Sequence, residues 1–116
     1  MSASPIPKRL KEARKAAKLT QERLGILTGI DEESASARMN QYERGKHEPD
    51  FLTLSRIATV LEVPAAYFYT VDNDVAELLV LVHRLQATDR RKLVQYLKGE
   101  SSARNFQLAP PSPDSD

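Results

Sequence analysis

Thr20-Gln21-Glu22-Arg23-Leu24-Gly25-Ile26-Leu27-Thr28-Gly29-Ile30, followed by Met39-Asn40-Gln41-Tyr42-Glu43-Arg44-Gly45-Lys46 and then Pro49, is the stretch that decides how this chain folds. Thr20 is suited to cap a helix over about Gln21 to Thr28, with Leu24 and Leu27 turned inward. Gly29 stops that helix, at a position where a positive φ is expected. The acidic residues Asp31, Glu32 and Glu33 complement the start of the next helix, the third in chain order, about Glu33 to Glu43. Gly45 breaks it and Pro49 prevents continuation. Two helices crossing steeply at a short turn need a small residue where they touch, and Gly25 stands there. It weakens its helix by up to ~1 kcal/mol but permits close approach. Leu24, Ile30, Met39 and Tyr42 supply the buried side of the pair.

Working outward, Leu10, Ala13 and Ala17 recur at helical spacing in a first helix, about Pro7 to Lys18. A fourth helix, Phe51 to Leu61, carries Phe51, Leu54, Ile57, Ala58 and Leu61 on one stripe. Pro64 opens a short fifth helix through Tyr69. Asp72-Asn73-Asp74 caps a sixth, ending near Gln86, with Val75, Leu78, Leu79, Val82 and Leu85 at heptad-like spacing. Thr88 and Asp89 begin a seventh, with Leu93, Val94, Tyr96 and Leu97 apolar and Gly99 at its end. The two-to-three-residue loop between them implies an antiparallel hairpin. The expected organisation is all-α: a five-helix domain over residues 1–70, a helical hairpin over 71–100, and a disordered Ser-, Pro- and Asp-rich tail over 101–116.

The 116 residues suffice for one compact domain with its own core plus an appendage. No apolar run approaches the roughly 18–20 residues of a membrane span. The first residues, Met1 to Pro5, lack the apolar stretch of a secretion signal. There is no cysteine, which removes disulfides, thiolate metal sites and Cys nucleophiles together. A cytoplasmic protein is expected. The net charge of +1 conceals a segregation: residues 1–28 carry seven basic side chains (Lys8, Arg9, Lys11, Arg14, Lys15, Lys18, Arg23) against Glu12 and Glu22. Such a cluster attracts phosphate even on a nearly neutral molecule, although a solvated helix face looks the same in sequence.

The quoted stretch, with the Phe-led helix and the Leu61-Glu62-Val63-Pro64 step after it, resembles the phage lambda repressor/Cro-like family, also called the xenobiotic-response-element type. The resemblance covers about residues 6–69. It implies a lambda-repressor-like, five-helix fold that binds double-stranded DNA. Family members more often have Ala where this chain has Gly25. They also have about six residues between the positions of Gly29 and Met39, where this chain has nine. The extra residues fall around Asp31 to Ala35, so either the turn is a longer loop or the following helix begins earlier and gains a turn.

By that resemblance the helix through Ser34 to Tyr42 lies in the major groove. The positions matching the family's base readers are Ser36, Ala37 and Gln41, with Arg38 and Asn40 beside them. Gln41 has the donor and acceptor to pair with an adenine edge, and Arg38 suits guanine or a phosphate. Ser34 serves equally well as a helix cap. Gln21 matches a family residue that meets phosphate at a helix start, and Arg44 and Lys46 are expected near the backbone. Arg14 and Glu43 match an internal ion pair. Val75, Leu78, Leu79, Val82, Leu85, Leu93, Tyr96 and Leu97 form the expected homodimer face, the alternative being that they cover the domain within one chain.

No nucleophile-base constellation is evident, and His47 and His83 lack metal-ligand spacing. No enzymatic activity, metal or cofactor is expected. The expected function is a transcriptional regulator, a repressor acting as a homodimer on a palindromic operator. An antitoxin that also binds a partner protein, or a restriction-modification controller, would share the same domain.

Overall fold

The computed structural model describes residues 4–99, so the expected tail over 101–116 lies outside the described residues. Every regular element among them is helical: α1 (Ile6–Ala16), α2 (Gln21–Leu27), α3 (Glu32–Glu43), α4 (Phe51–Leu61), a 3-10 helix (Ala65–Tyr69), α5 (Asn73–His83) and α6 (Ala87–Leu97). The chain divides into two compact units between Arg84 and Leu85. None of its described helices is long and apolar enough to cross a membrane.

The first unit is built around the stripes its helices present. Ile6, Leu10 and Ala13 of α1 meet Leu24 of α2, Met39 and Tyr42 of α3, and Leu54, Ile57, Ala58 and Leu61 of α4. Val63, Tyr67 and Phe68 close the cluster from the segment after α4, and Ala76 from α5. Side-chain caps set three of the helix starts. Thr20, Asp50 and Asp72 each accept from the backbone N–H three residues on, at 3.0, 2.8 and 2.9 Å. The bonds to Thr53 hold the Asp50 carboxyl below the usual carboxylate range.

Several details differ from the sequence expectations. Leu27 is 44% exposed, because seven-residue α2 turns only Leu24 and Gly25 inward, with Thr28 after it. Phe51 is 68% exposed: as the first residue of α4 it precedes the buried stripe that starts at Leu54. The element after Pro64 is a 3-10 helix rather than an α-helix, with Pro64 as its extended N-cap. At five residues it has little room for an α-helical ladder. α5 stops at His83, not near Gln86, and Leu85 falls between helices. α5 belongs to the first unit, with Ala76 in its core and Val80 packed against it. α6 belongs to the second unit, buries no residue fully, and leaves Val94 and Leu97 exposed.

Candidate nucleic-acid interface

The approach of α2 to α3 leaves no room for a side chain at position 25. A Cβ on Gly25 would stand 2.7 Å from the Cβ of Ala35 and 2.9 Å from its carbonyl oxygen. The obstruction is backbone as well as side chain, so it cannot swing aside. This explains why glycine occupies position 25. After α2 the chain turns within a few residues. Thr28 Oγ1 donates to the Leu24 and Gly25 carbonyls, the Ile30 N–H donates to the Gly25 carbonyl at 2.9 Å, and Gly29 takes a φ of +95°.

The additional residues between Gly29 and Met39 are therefore helical. α3 begins at Glu32, with Asp31 as N-cap, and runs for 12 residues, about 18 Å of helix. Ala35, Met39 and Tyr42 face the core. Ser36, Ala37 and Arg38 are exposed, and Asn40 and Gln41 half-buried. Asp31, Glu32 and Glu33 all reach solvent.

Charge-assisted bonds lock this helix to the domain. Arg14 grips Glu43 with two nitrogens, Nε on one carboxylate oxygen and Nη2 on the other at 3.0 Å, while Nη1 donates to the Leu19 carbonyl at 2.8 Å. The Glu43 side chain is 3% exposed and that of Arg14 12%. Gln21 joins the same network, its amide donating to Asn40 Oδ1 at 3.2 Å and Glu43 Oε1 at 3.0 Å. With both amide N–H groups directed at α3, a phosphate contact from the Gln21 side chain requires exchanging one of these bonds. At the start of α2 the Arg23 N–H is taken by the Thr20 cap, so a backbone contact to phosphate there falls to the N–H groups of Gln21 and Glu22.

Beyond α3, Gly45 takes a φ of +74° and the Lys46 N–H returns to the Gln41 carbonyl at 2.9 Å, which turns exposed Arg44 and Lys46 away from the helix end. On the flank of α3, Arg38 lines a polar cleft of about 240 Å³ together with Arg56, Thr53, Thr28, Ser34 and Asp31. Sequence reasoning gave Arg56 no role, since nothing in its spacing ties it to Arg38. Arg9 differs more sharply from expectation. Counted among the basic residues that could draw phosphate, it is 1% exposed and serves the interior. Its place between Ile6 and Ala13 on the buried spacing of α1 was the available signal.

Of the residues expected at a homodimer face, Val75, Leu78, Leu85 and Leu97 are exposed, whereas Leu79, Val82, Leu93 and Tyr96 are half-buried. α5 is thus apolar on two opposite sides. Ala76 and Val80 serve its own core, and Val75, Leu78 and Leu81 reach solvent.

A family model described as helix-turn-helix matches residues 10–68. Among solved structures, one titled crystal structure of transcriptional regulator BswR aligns with a TM-score of 0.76 and 44% sequence identity, covering 81% of this chain and 93% of that one. A search of curated proteins gave no match.

Proposed function

The chain belongs to the lambda repressor/Cro-like helix-turn-helix family of DNA-binding transcription regulators, and on that premise we propose that it is a repressor that binds a palindromic operator as a homodimer in the cytoplasm. The observation that carries this reading is the state of α3. Its outer residues Ser36, Ala37 and Arg38 are open to a groove, while its far end is held by the Arg14–Glu43–Gln21 network. A helix fixed before binding loses little further freedom on entering a duplex.

In this reading Ser36, Ala37, Arg38, Asn40 and Gln41 face base edges, and Arg44 and Lys46 hold phosphates with the N-terminus of α2. The Gln21 side chain acts chiefly by aligning Asn40 and Glu43. The support for dimerisation lies in α5. A helix apolar on opposite sides is ordinarily buried on both, and among the described residues nothing buries Val75, Leu78 and Leu81. A second copy supplies the missing cover and brings a second recognition helix to the next turn of the duplex, about 34–36 Å away.

Selection of bound duplexes from a random pool, at fixed salt, tests the reading. The expected product is an inverted repeat. Gln41→Ala relaxes preference at one base pair per half-site, by about 1–3 kcal/mol for a bidentate contact. Recovery of no preferred sequence, or of a site without two-fold symmetry, contradicts the proposal.

A further inference from the structure

Both ends of α5 are held by arginines that reach main-chain carbonyls. At its N-terminal end, buried Arg9 donates from Nε to the Thr70 carbonyl at 2.8 Å and from Nη2 to the Val71 carbonyl at 2.8 Å and to Asn73 Oδ1 at 3.0 Å. Its Nη1 pairs with Glu12 at 3.2 Å, and Glu12 also accepts from the Tyr67 hydroxyl at 2.6 Å. The Tyr67 ring stands 5.8 Å from the guanidinium carbon. At the other end, Arg84 donates from Nε to the Glu62 carbonyl at 3.0 Å and from Nη2 to the Leu61 carbonyl at 3.2 Å. There α4 has just ended in a left-handed residue, Glu62, with a φ of 56°. Carbonyls at a helix end lack partners within the helix, so Arg84 satisfies them from outside. Between the two clamps Ala76 and Val80 rest on the core.

Covering Ala76 and Val80 requires only an apolar face on α5. The clamps do something different. They grip the carbonyls of Thr70 and Val71 with the Asn73 side chain, and the carbonyls of Leu61 and Glu62, and so fix where α5 begins and ends relative to the domain. α1 also carries Arg14, which holds α3 through Glu43. Arg9 and Arg14 lie five residues apart on one rigid helix, about 7.5 Å along its axis. One strut therefore ties the helix with the outward apolar face to the helix proposed to enter the groove.

We propose that Arg9 and Arg84 are positioning residues that set the separation of the two recognition helices in the dimer, and hence the half-site spacing the protein accepts on DNA. This rests on the α5 dimer described under Proposed function. Shifting one half-site by a single base pair moves it about 3.4 Å along the axis and about 34–36° around it. A dimer whose α5 is clamped to α3 cannot follow that shift without distorting itself or the duplex. A dimer with α5 released can.

The test uses the full chain, the selected operator, and operators with half-sites moved closer by one base pair or apart by one or two. Arg84→Met removes the exposed clamp without touching the core. Arg9→Lys keeps the buried charge but cannot hold all the carbonyls at once. Light scattering and circular dichroism establish that each variant is a folded dimer. The wild type is expected to lose about tenfold or more in affinity at each altered spacing. Arg84→Met is expected to compress that loss to about threefold or less while binding an isolated half-site as the wild type does. Arg9→Lys falls between. Folded, dimeric variants with the wild-type spacing profile overturn the inference and leave the dimer reading intact. A wild-type protein that is monomeric on its operator, or indifferent to loss of one half-site, overturns the dimer reading and this inference together.

Discussion

α3 and α5 are anchored in the same manner and differ in what they offer outward. Each is held by an arginine from α1, Arg14 through the Glu43 carboxylate and Arg9 through the Thr70 and Val71 carbonyls. Each lays small or apolar residues on the common core, Ala35 and Met39 from one and Ala76 from the other. The outer side of α3 is polar and small, with Ser36, Ala37 and Arg38; that of α5 is apolar, with Val75, Leu78 and Leu81. Anchoring fixes where a helix stands. Its outward chemistry decides what it meets: a polar rod suits a groove edged with donors and acceptors, and an apolar one suits a copy of itself.

The largest effect is expected where an anchor is cut. Glu43→Ala leaves Arg14 and the Gln21 amide facing an empty, largely buried site, and should cost about 3–5 kcal/mol of folding stability, read by urea denaturation. A loss below ~1 kcal/mol would show that the α3 anchor is a surface pair of little consequence. Next in size, Leu78→Glu with Leu81→Glu places like charges on the outer face of α5. Loss of the proposed dimer should lower operator affinity by about 100-fold or more, with single half-site binding retained. Light scattering that still reports a dimer would remove α5 from the interface.

How much of this could be read in the chain alone depended on what each residue had to satisfy. The helix order, the caps at Thr20 and Asp72, and the turn glycines at 29 and 45 were legible because local backbone chemistry specifies them. On the short α2, Leu24 was read correctly as inward and Leu27 was not. Seven residues hold too few periods to fix a face, and Leu27 proved exposed. The extra turn of α3 was one of two open alternatives. The sequence shows how many residues are inserted, but whether they coil depends on Ala35 meeting Gly25 across the crossing. The fate of Arg9 was legible only in part: its position on the buried spacing of α1 pointed inward, but a buried arginine and a phosphate-seeking one are the same letter. Its carbonyl partners, more than sixty residues away, leave no mark on the pattern. For the interface, the Arg14–Glu43 link came from the family resemblance, whereas the double use of Gln21 needed coordinates.

Gly25→Ala probes how tightly α2 and α3 cross. On helix propensity alone, alanine should stabilise by up to ~1 kcal/mol. The 2.9 Å approach to the Ala35 carbonyl predicts instead a net destabilisation of about 1–3 kcal/mol as α2 and α3 are forced apart. A neutral or stabilising result in thermal denaturation would show that the crossing has slack.

The smallest effects concern charge at the two ends of α3. Lys46→Ala should weaken all duplexes alike and flatten the salt slope of binding by about one unit. Neutralising Asp31, Glu32 and Glu33 together reports on where the added turn points. Higher affinity for every duplex, falling off with salt, is expected if it borders the phosphates, and unchanged affinity if it points away from them.

The most direct test follows backbone amide resonances of the full protein while the selected duplex is added at fixed salt. Shifts should concentrate on Ser36 to Gln41 and on Arg44 to Lys46, with the α5 residues Val75, Leu78 and Leu81, placed at the proposed dimer interface, unmoved. Shifts centred on α5, or none on α3 at saturating duplex, would contradict the assignment of the groove to α3.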